Sequence, residues 1–342
     1  VKRVLITGGA GFIGSHFIKF ALRQHPDWQI VNLDKLSYAG NLDNLTDLPN
    51  PKRHEFVRGD IADRELVTKL WRDGSAGTGA GFEIVVNFAA ETHVDRSILW
   101  ADDFIKTDVL GAFTLLEAAR EFGVKRFIQI STDEVYGSIE RGKFTEDSPL
   151  NPRNPYSASK AGADRLAFAC FATHNVPVII TRCSNNFGPN QYPEKFIPLF
   201  ITNALENKPL PIYGDGRNVR DWIYVEDHCA AVDFLIENGK IGETYNVAGG
   251  NEVENIEIAR RIVNKLCKPE SLIQLVKDRP GHDRRYSLDA GKLAASGWNP
   301  QRDFAAALDA TIDWYVTNEP WWRKIRSGEF RKYYDQQYGQ RL

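Results

Sequence analysis

Tyr156 and Lys160 stand four residues apart in "NPYSASKAGAD", and a four-residue step along a helix puts two side chains on one face. An ammonium beside a phenol favours the phenolate, so the pair reads as a base for a hydroxyl proton, its phenol drawn down from about 10 toward neutrality. Upstream, "STDEVYG" sets Thr132, Asp133 and Glu134 side by side. An acidic dipeptide where a strand ends is most often a solvated turn, yet two carboxyl groups are also the residue types that an acid and a base require. A third set, Gly8, Gly11 and Gly14, recurs at three-residue intervals in "VLITGGAGFIGSH". Glycines there allow a tight turn, let backbone N–H groups approach a pyrophosphate, and bring the positive end of a helix against it. Asp34 follows Gly14 by 20 residues, placed to bond an adenosine ribose diol. Its carboxylate would repel a 2′-phosphate, which favours NAD over NADP; Lys35 beside it argues the other way.

These residues need elements that gather strand ends. Short apolar runs at 3–7, 29–34, 55–60, 84–88 and 127–131 alternate with helix-length amphipathic segments, the rhythm of βαβ units and a parallel sheet with right-handed crossovers. The glycine turn, Asp34, Asp60 with Ile61, the small residues of "FAAET", and the acidic pair then all fall at carboxyl ends of strands, where open α/β sheets bind ligands. Segment 155–174 begins with Pro, is rich in Ala, and reads as a long helix, followed by a strand at 177–182. The glycine-rich stretch 73–81 has no strand immediately before it and reads as a surface insertion rather than a phosphate cradle.

Past about residue 183 prolines punctuate short elements, and "GDGRNVRDWIYVEDH" reads as a turn, a short strand and a helix start. Residues 303–318 form a last amphipathic helix, and 320–342 read as a polar tail. The expected fold is α/β: a Rossmann-type doubly wound parallel sheet over 1–182, with about 221–250 returning to it, and a smaller mixed α/β substrate-binding domain over 183–342.

The 342 residues carry 43 basic and 45 acidic side chains, a net charge of −2 that gives no reason to expect nucleic-acid or membrane-surface binding. Four cysteines lie far apart without metal-ligand spacing, as in reduced intracellular proteins. His16, His25 and His93 have no such spacing either and read as structural or solvated. No apolar stretch reaches about 18 residues. The first six residues already read as a strand, so no signal peptide is expected and the chain is expected in the cytoplasm.

In order, the glycine triplet, Asp34, "NFAAETHVDRS", "STDEVYG" and "YSASK" resemble the extended short-chain dehydrogenase/reductase family from residue 1 to about 318. More narrowly, "STDEVYG", "NPYSASKAGAD", "RCSNNFGPNQYPEKFIP" and "RPGHDRRY" resemble the dTDP-glucose 4,6-dehydratases within it. That resemblance implies an NAD-dependent lyase. Tyr156 takes the 4′-hydroxyl proton of dTDP-glucose as C4 is oxidised; Glu134 removes the C5 proton while protonated Asp133 donates to the departing 6-hydroxyl; hydride returns to C6 and C5 is reprotonated, giving dTDP-4-keto-6-deoxyglucose. Like charges held close push two carboxyl pKa values apart, which suits one acid and one base. Thr132 would hydrogen-bond the 4′-hydroxyl, and Lys160 the nicotinamide ribose.

By the same resemblance the cofactor site takes in Phe12, Ile13, Asp34, Lys35, Leu36, Ser37, Asp60, Ile61, Phe88, Ala89, Ala90, Glu91, Thr92, Thr107 and Asn186. The nucleotide half of the substrate takes Asn185, Lys195, Phe196, Pro211, Ile212, Tyr213, Arg220, Asn255, Asp278, Arg279, Pro280, Gly281 and His282, with Thr92 reaching both ligands. Phe196 departs from the family pattern, where an aliphatic residue is expected. The resemblance further implies a homodimer paired through helices at about 104–122 and 156–174, and a product used in deoxysugar synthesis such as that of rhamnose. Three other readings stay open: a dehydratase or decarboxylase of another nucleotide sugar, a 4-epimerase needing Tyr156 and NAD without an acid/base pair, and a non-catalytic NAD-binding module.

Overall fold

The computed structural model describes residues 1–75, 81–278 and 282–327. Its first half alternates strand and helix: β1 (Lys2–Thr7), α1 (Phe12–Gln24), β2 (Trp28–Asp34), β3 (His54–Arg58), α2 (Arg64–Ser75), β4 (Ile84–Asn87), α3 (Val94–Leu99), α4 (Ala101–Phe104), α5 (Ala112–Phe122), β5 (Arg126–Thr132), α6 (Pro155–His174) and β6 (Val178–Cys183). A π-helical stretch, Ile105–Gly111, joins α4 to α5. The second half holds β7 (Asn185–Phe187), α7 (Phe196–Leu205), β8 (Leu210–Tyr213), β9 (Val219–Tyr224), α8 (Val225–Asn238), β10 (Thr244–Val247), β11 (Glu252–Glu254), α9 (Asn255–Lys265), β12 (Ile273–Val276), α10 (Gly291–Ala295), α11 (Phe304–Thr317) and α12 (Glu319–Arg326).

Seven strands form one sheet in the order β10-β6-β5-β4-β1-β2-β3, with every pair parallel. Side chains alternate across a strand. Val4, Ile6, Ile84, Val86, Ile128 and Ile130 therefore pack with residues of α1 and α8, while Leu5, Val85 and Phe127 pack with residues of α2, α5 and α6. Each fully buried side chain of this kind stabilises the fold by about 1.5–3 kcal/mol over exposure. Strand order reverses between β1 and β4, the crevice where doubly wound sheets bind ligands.

Helix α6 starts where the sequence signals it. The Asn154 carboxamide oxygen accepts the Ser157 N–H at 2.9 Å, Pro155 follows, and Asn175 closes the helix in the left-handed region at φ 55°. The second region has its own core, in which Phe200 of α7, Ile212 of β8, Ile262 of α9 and Leu308 of α11 meet. Helix α8 and strand β10 return to the main sheet.

Residues 320–326, read from their charges as polar tail, are a docked helix. Trp322 is fully buried and its indole N–H donates to the Tyr315 carbonyl at 2.8 Å, while Arg323 and Lys324 pair outward with Glu206 and Asp43. Charge counting hid a helix that two tryptophans anchor. The glycine-rich stretch from 76 to 80 and the tail from 328 lie outside the described residues. Among those described, no helix is long and apolar enough to cross a membrane.

Candidate active site

A cavity of about 400 Å³ runs along the carboxyl ends of the main sheet and into the second region. At one end the β1–α1 turn must come unusually close to its neighbours. A Cβ on Gly8, whose φ is +69°, would stand 2.7 Å from the Ala89 amide nitrogen, and one on Gly14 would stand 2.3 Å from the Gly8 carbonyl oxygen. No side chain caps α1 at Gly11, which leaves its N-terminus open to an anion. At the end of β2, Asp34 accepts the Ala10 and Leu36 N–H groups at 2.9 and 2.8 Å, and burial holds its carboxyl above the usual range. Lys35 turns its ammonium inward, 2.8 Å from the Thr107 hydroxyl, 3.2 Å from Glu91 and 4.0 Å from Asp60. Its charge is thus answered within the protein and is not held out for a phosphate. A glycine cradle, an uncapped helix N-terminus and a carboxylate at the end of β2 fit a dinucleotide.

Midway along the cavity, β5 delivers the acidic pair. The Thr132 hydroxyl accepts the Glu134 N–H at 3.3 Å, capping a short 3-10 turn over Asp133–Tyr136, and donates to Asp133 Oδ1 at 3.0 Å. Asp133 is 2% exposed and its Oδ2 has no hydrogen-bond partner. Burial first, and the neighbouring Glu134 charge second, push its pKa up to about 8. Ser157 donates to Glu134 Oε2 at 3.3 Å, and the Tyr286 hydroxyl stands 3.5 Å from the same oxygen. Tyr136 drops back into the core, its hydroxyl donating to Asn246 Oδ1 at 2.8 Å and accepting from Arg182 at 2.7 Å.

Tyr156 and Lys160 face this pair from α6. Lys160 Nζ donates to the Ile130 carbonyl at 2.7 Å, and burial lowers its pKa. The Tyr156 phenol does not follow the simple expectation from an adjacent ammonium: its pKa stands well above the ordinary value. Burial is the largest cause, then the charges of Glu134 and Asp108, with a hydrogen bond to Thr132 acting the other way.

In the second region, Asn185 and Asn255 each carry a buried Oδ1 with no partner. Lys195 Nζ donates to the Thr92 hydroxyl at 3.0 Å, and burial lowers its pKa. The Arg220 guanidinium lies 4.2 Å over the Tyr286 ring and donates to the carbonyls of Val219 and Asp283 at 2.8 and 2.9 Å. The aromatic ring of Phe196 packs on Phe200 and Trp222, with ring centroids 4.2 and 6.1 Å apart.

This chain matches the GDP-mannose 4,6 dehydratase family over residues 5–311. It is 52% identical over 316 residues to the low-salt glycan biosynthesis protein Agl12 of Haloferax volcanii, spanning 92% of this chain and 99% of that protein. It is 46% identical over 330 residues to a dTDP-glucose 4,6-dehydratase of Streptomyces niveus, spanning 95% and 96% of the two chains. The crystal structure of DesIV, a dTDP-glucose 4,6-dehydratase of Streptomyces venezuelae with NAD bound, superposes with a TM-score of 0.90 at 47% identity, covering 94% of this chain and 99% of that one. The chain belongs to the dTDP-glucose 4,6-dehydratase family. Its fold is the mostly parallel α/β sheet of that family, as the strand rhythm implies.

Against this dehydratase frame the expected site residues fall into three groups. Most line the one cavity: the three glycines, Phe12, Ile13, Asp34, Lys35, Ser37, Asp60, Ile61, Phe88, Ala89, Ala90, Thr92, Thr107, Thr132, Asp133, Glu134, Tyr156, Lys160, Asn185, Asn186, Lys195, Phe196, Pro211, Tyr213, Arg220, Asn255 and His282. Leu36, Glu91, Ile212 and Asp278 are not among its lining residues. Leu36 gives its N–H to Asp34, Glu91 pairs with Lys35, Ile212 belongs to the second core, and Asp278 hydrogen-bonds His282 Nδ1 at 2.6 Å. Arg279, Pro280 and Gly281 lie outside the described residues.

Other wall residues of this dehydratase family member were not expected from the sequence. Tyr38, His93, Glu194 and Tyr286 all line the cavity. Glu194 is buried against Arg96 at 2.9 Å, and the Arg96 guanidinium lies 3.9 Å over the Tyr38 ring. An acid beside Lys195 in "YPEK" was a readable signal. His93 sits at φ 131°, a backbone state rare outside glycine, which no residue type announces.

Proposed function

We infer that this protein is an NAD-dependent dTDP-glucose 4,6-dehydratase, converting dTDP-glucose to dTDP-4-keto-6-deoxyglucose and water. The observation that carries this reading is the buried acid pair. Asp133, held protonated with an unpartnered oxygen, stands beside Glu134 in the same cavity as Tyr156 and the glycine cradle.

Bound NAD supplies a reversible acceptor for the C4 hydrogen that later returns at C6. Tyr156 takes the 4′-hydroxyl proton, oriented through the Thr132 hydroxyl, and Lys160 braces the ribose on that side of the cavity. The C4 ketone acidifies the C5 hydrogen, which the Glu134 carboxylate removes. Asp133 gives its proton to the leaving 6-hydroxyl, so that water departs across C5 and C6, and a proton is restored to C5 as hydrogen returns to C6. Lys195 and Arg220 answer the diphosphate charge, the fork of Arg220 already held by its carbonyl contacts. Residues 1–182 with about 221–250 hold the cofactor, and the remainder of 183–342 holds most of the nucleotide.

Exposed apolar side chains on the helices facing away from the sheet, Ile105 at 54%, Leu110 at 46% and Phe168 at 41% exposure, suit pairing with a second copy of the chain. Unpaired cysteines suit a reducing compartment, and we place the homodimer in the cytoplasm, supplying a deoxysugar pathway.

Incubation with dTDP-glucose in deuterated water tests substrate, reaction and C5 chemistry together. The expected product is a 4-keto-6-deoxy sugar nucleotide carrying deuterium at C5. Equal or better turnover of UDP-glucose would overturn the substrate, and an unlabelled C5 would overturn the elimination.

A further inference from the structure

Helix α12 is rooted by one tryptophan and reaches across the molecule with its neighbour. Trp322 is fully buried in the second core, and its indole N–H stays there, on the Tyr315 carbonyl. Trp321 meets Trp314 edge to face, with ring centroids 5.2 Å apart, and is half-buried. A half-buried indole N–H can bond water. This one donates instead to Asn44 Oδ1 at 3.1 Å, in the short 3-10 turn Leu42–Leu45 that follows β2. Beside it the Lys324 ammonium stands 2.6 Å from Asp43 Oδ2.

Asn44 is 1% exposed, and a buried carboxamide needs partners at both ends. An indole nitrogen only donates, so the Asn44 oxygen faces Trp321 and the NH2 group faces the Ala10 carbonyl, to which it donates at 2.9 Å. The Asn41 N–H donates to the same carbonyl at 3.0 Å. Ala10 lies between Gly9 and Gly11 in the glycine turn, and its own N–H donates to Asp34 Oδ2 at 2.9 Å. A continuous run of hydrogen bonds thus leads from α12 to the acid at the end of β2, through Trp321, Asn44, Ala10 and Asp34. The loop from Asp34 to Asn44, of which Lys35, Ser37, Tyr38, Ala39 and Gly40 line the cavity, is fastened to Ala10 at both ends.

We propose that α12 is a strap for the cofactor, in which Trp321, acting through Asn44, is a positioning residue that holds this loop closed on the glycine turn and so slows release of the dinucleotide. The proposal rests on the assignment of NAD to the glycine turn and Asp34. A cofactor that takes hydrogen from C4 and returns it to C6 within one turnover has no need to leave. One lost midway would strand a 4-keto sugar with no hydride to receive. Restraint therefore suits the adenosine end, away from the reacting ring, and there the run of hydrogen bonds ends. Coupling of this kind is reciprocal: if docked α12 favours bound cofactor, bound cofactor favours docked α12.

Trp321→Phe keeps a ring against Trp314 and removes the donor. Release is followed on the loaded full chain, without substrate, as loss of radiolabelled NAD into excess unlabelled NAD. The expected result is release about three- to tenfold faster in Trp321→Phe, the span of one lost hydrogen bond, with affinity for dTDP within about twofold of wild type. Asn44→Ala should release NAD at least as fast, and adding Trp321→Phe to it should change the rate by less than about twofold, because both act through one run of bonds. Lys324→Ala breaks only an exposed pair and should stay within about twofold of wild type. The wild type itself gives a measurement that needs no variant to fold: hydrogen exchange at 41–45 and at 319–326 should slow together when NAD binds. Unchanged release in Trp321→Phe, an equal loss of dTDP affinity, additive effects in the double variant, release from Lys324→Ala as fast as from Trp321→Phe, or exchange at 319–326 indifferent to NAD would each overturn the proposal. A wrong sugar substrate would alter none of these readings, whereas a wild type that binds no NAD would overturn the cofactor assignment and the strap together.

Discussion

Replacing Asp133 by Asn should stabilise the ligand-free protein while removing its dehydration activity, and the gain should grow with pH. Asp133 is 2% exposed, and its pKa is raised from 3.8 to about 8. A carboxyl whose pKa is raised on folding binds its proton more tightly in the native state. It costs nothing below about pH 4, where both states are protonated, and costs more with each pH unit until the native group ionises near 8. The slope is about 1.4 kcal/mol per pH unit, so the cost is about 1.5 kcal/mol at pH 5 and about 4 kcal/mol at pH 7. These are upper figures, since water entering the pocket relaxes the charged form. Asn carries no such cost, and its amide takes the place of the unpartnered Oδ2. Urea unfolding of both proteins at pH 5, 6, 7 and 8, at one protein concentration, should show Asp133→Asn pulling ahead by about 2.5 kcal/mol between pH 5 and 7. Turnover to the 4-keto-6-deoxy product should fall by about 10²–10⁴-fold while oxidation at C4 still occurs. Parallel stability curves across that range would refute the claim that the fold holds Asp133 protonated, and with it the assignment of the acid.

Three further outcomes follow from the same geometry. Tyr156→Phe should lower turnover by about 10²–10⁴-fold with nucleotide binding retained, as steady-state rates and a binding titration would read; an active variant would move the base elsewhere. Gly14→Ala puts a Cβ 2.3 Å from the Gly8 carbonyl, so the turn must open and NAD affinity measured by calorimetry should fall about tenfold or more. Arg220→Ala should raise the KM for the nucleotide sugar and flatten its salt dependence more than it changes kcat; a kcat loss alone would instead place Arg220 in the chemistry.

The parallel sheet was legible because its strands are continuous apolar runs with ligand-binding residues at their ends, and the α6 boundaries because Asn154, Pro155 and Asn175 are cap residues. The acid pair was legible as residue types in order. Its protonation was not, since the charges that act on Asp133 come from groups far along the chain, among them Arg220 and Asp221. Lys35 illustrates the same limit. Sequence places an ammonium beside Asp34 and leaves the cofactor choice divided, whereas Glu91 and Thr107, brought over from later strands and helices, settle where that charge points. The docking of 319–326 escaped notice because charged residues outnumber the two tryptophans that decide it, and the π turn at Ile105–Gly111 has no residue signature at all.

The raised Tyr156 pKa sharpens what the cofactor must contribute. Two carboxylates, Glu134 and Asp108, work against the phenolate in the ligand-free cavity, and Lys160 spends its hydrogen bond on Ile130. Burial and these carboxylates oppose the phenolate in the ligand-free cavity, so a positive charge arriving with the ligands would favour it. Oxidised nicotinamide carries one. At a separation of about 5 Å and an effective dielectric of about 20, a unit charge is worth about 3 kcal/mol, or about two pH units. Ultraviolet difference titration of tyrosinate, with Tyr156→Phe as the blank, should place Tyr156 above its ordinary value in the ligand-free protein. Addition of NAD should bring it down by about that amount, and the reduced cofactor, of similar shape with a neutral ring, should not. Equal shifts with both forms would mean that desolvation or movement of α6, and not the ring's charge, activates the base.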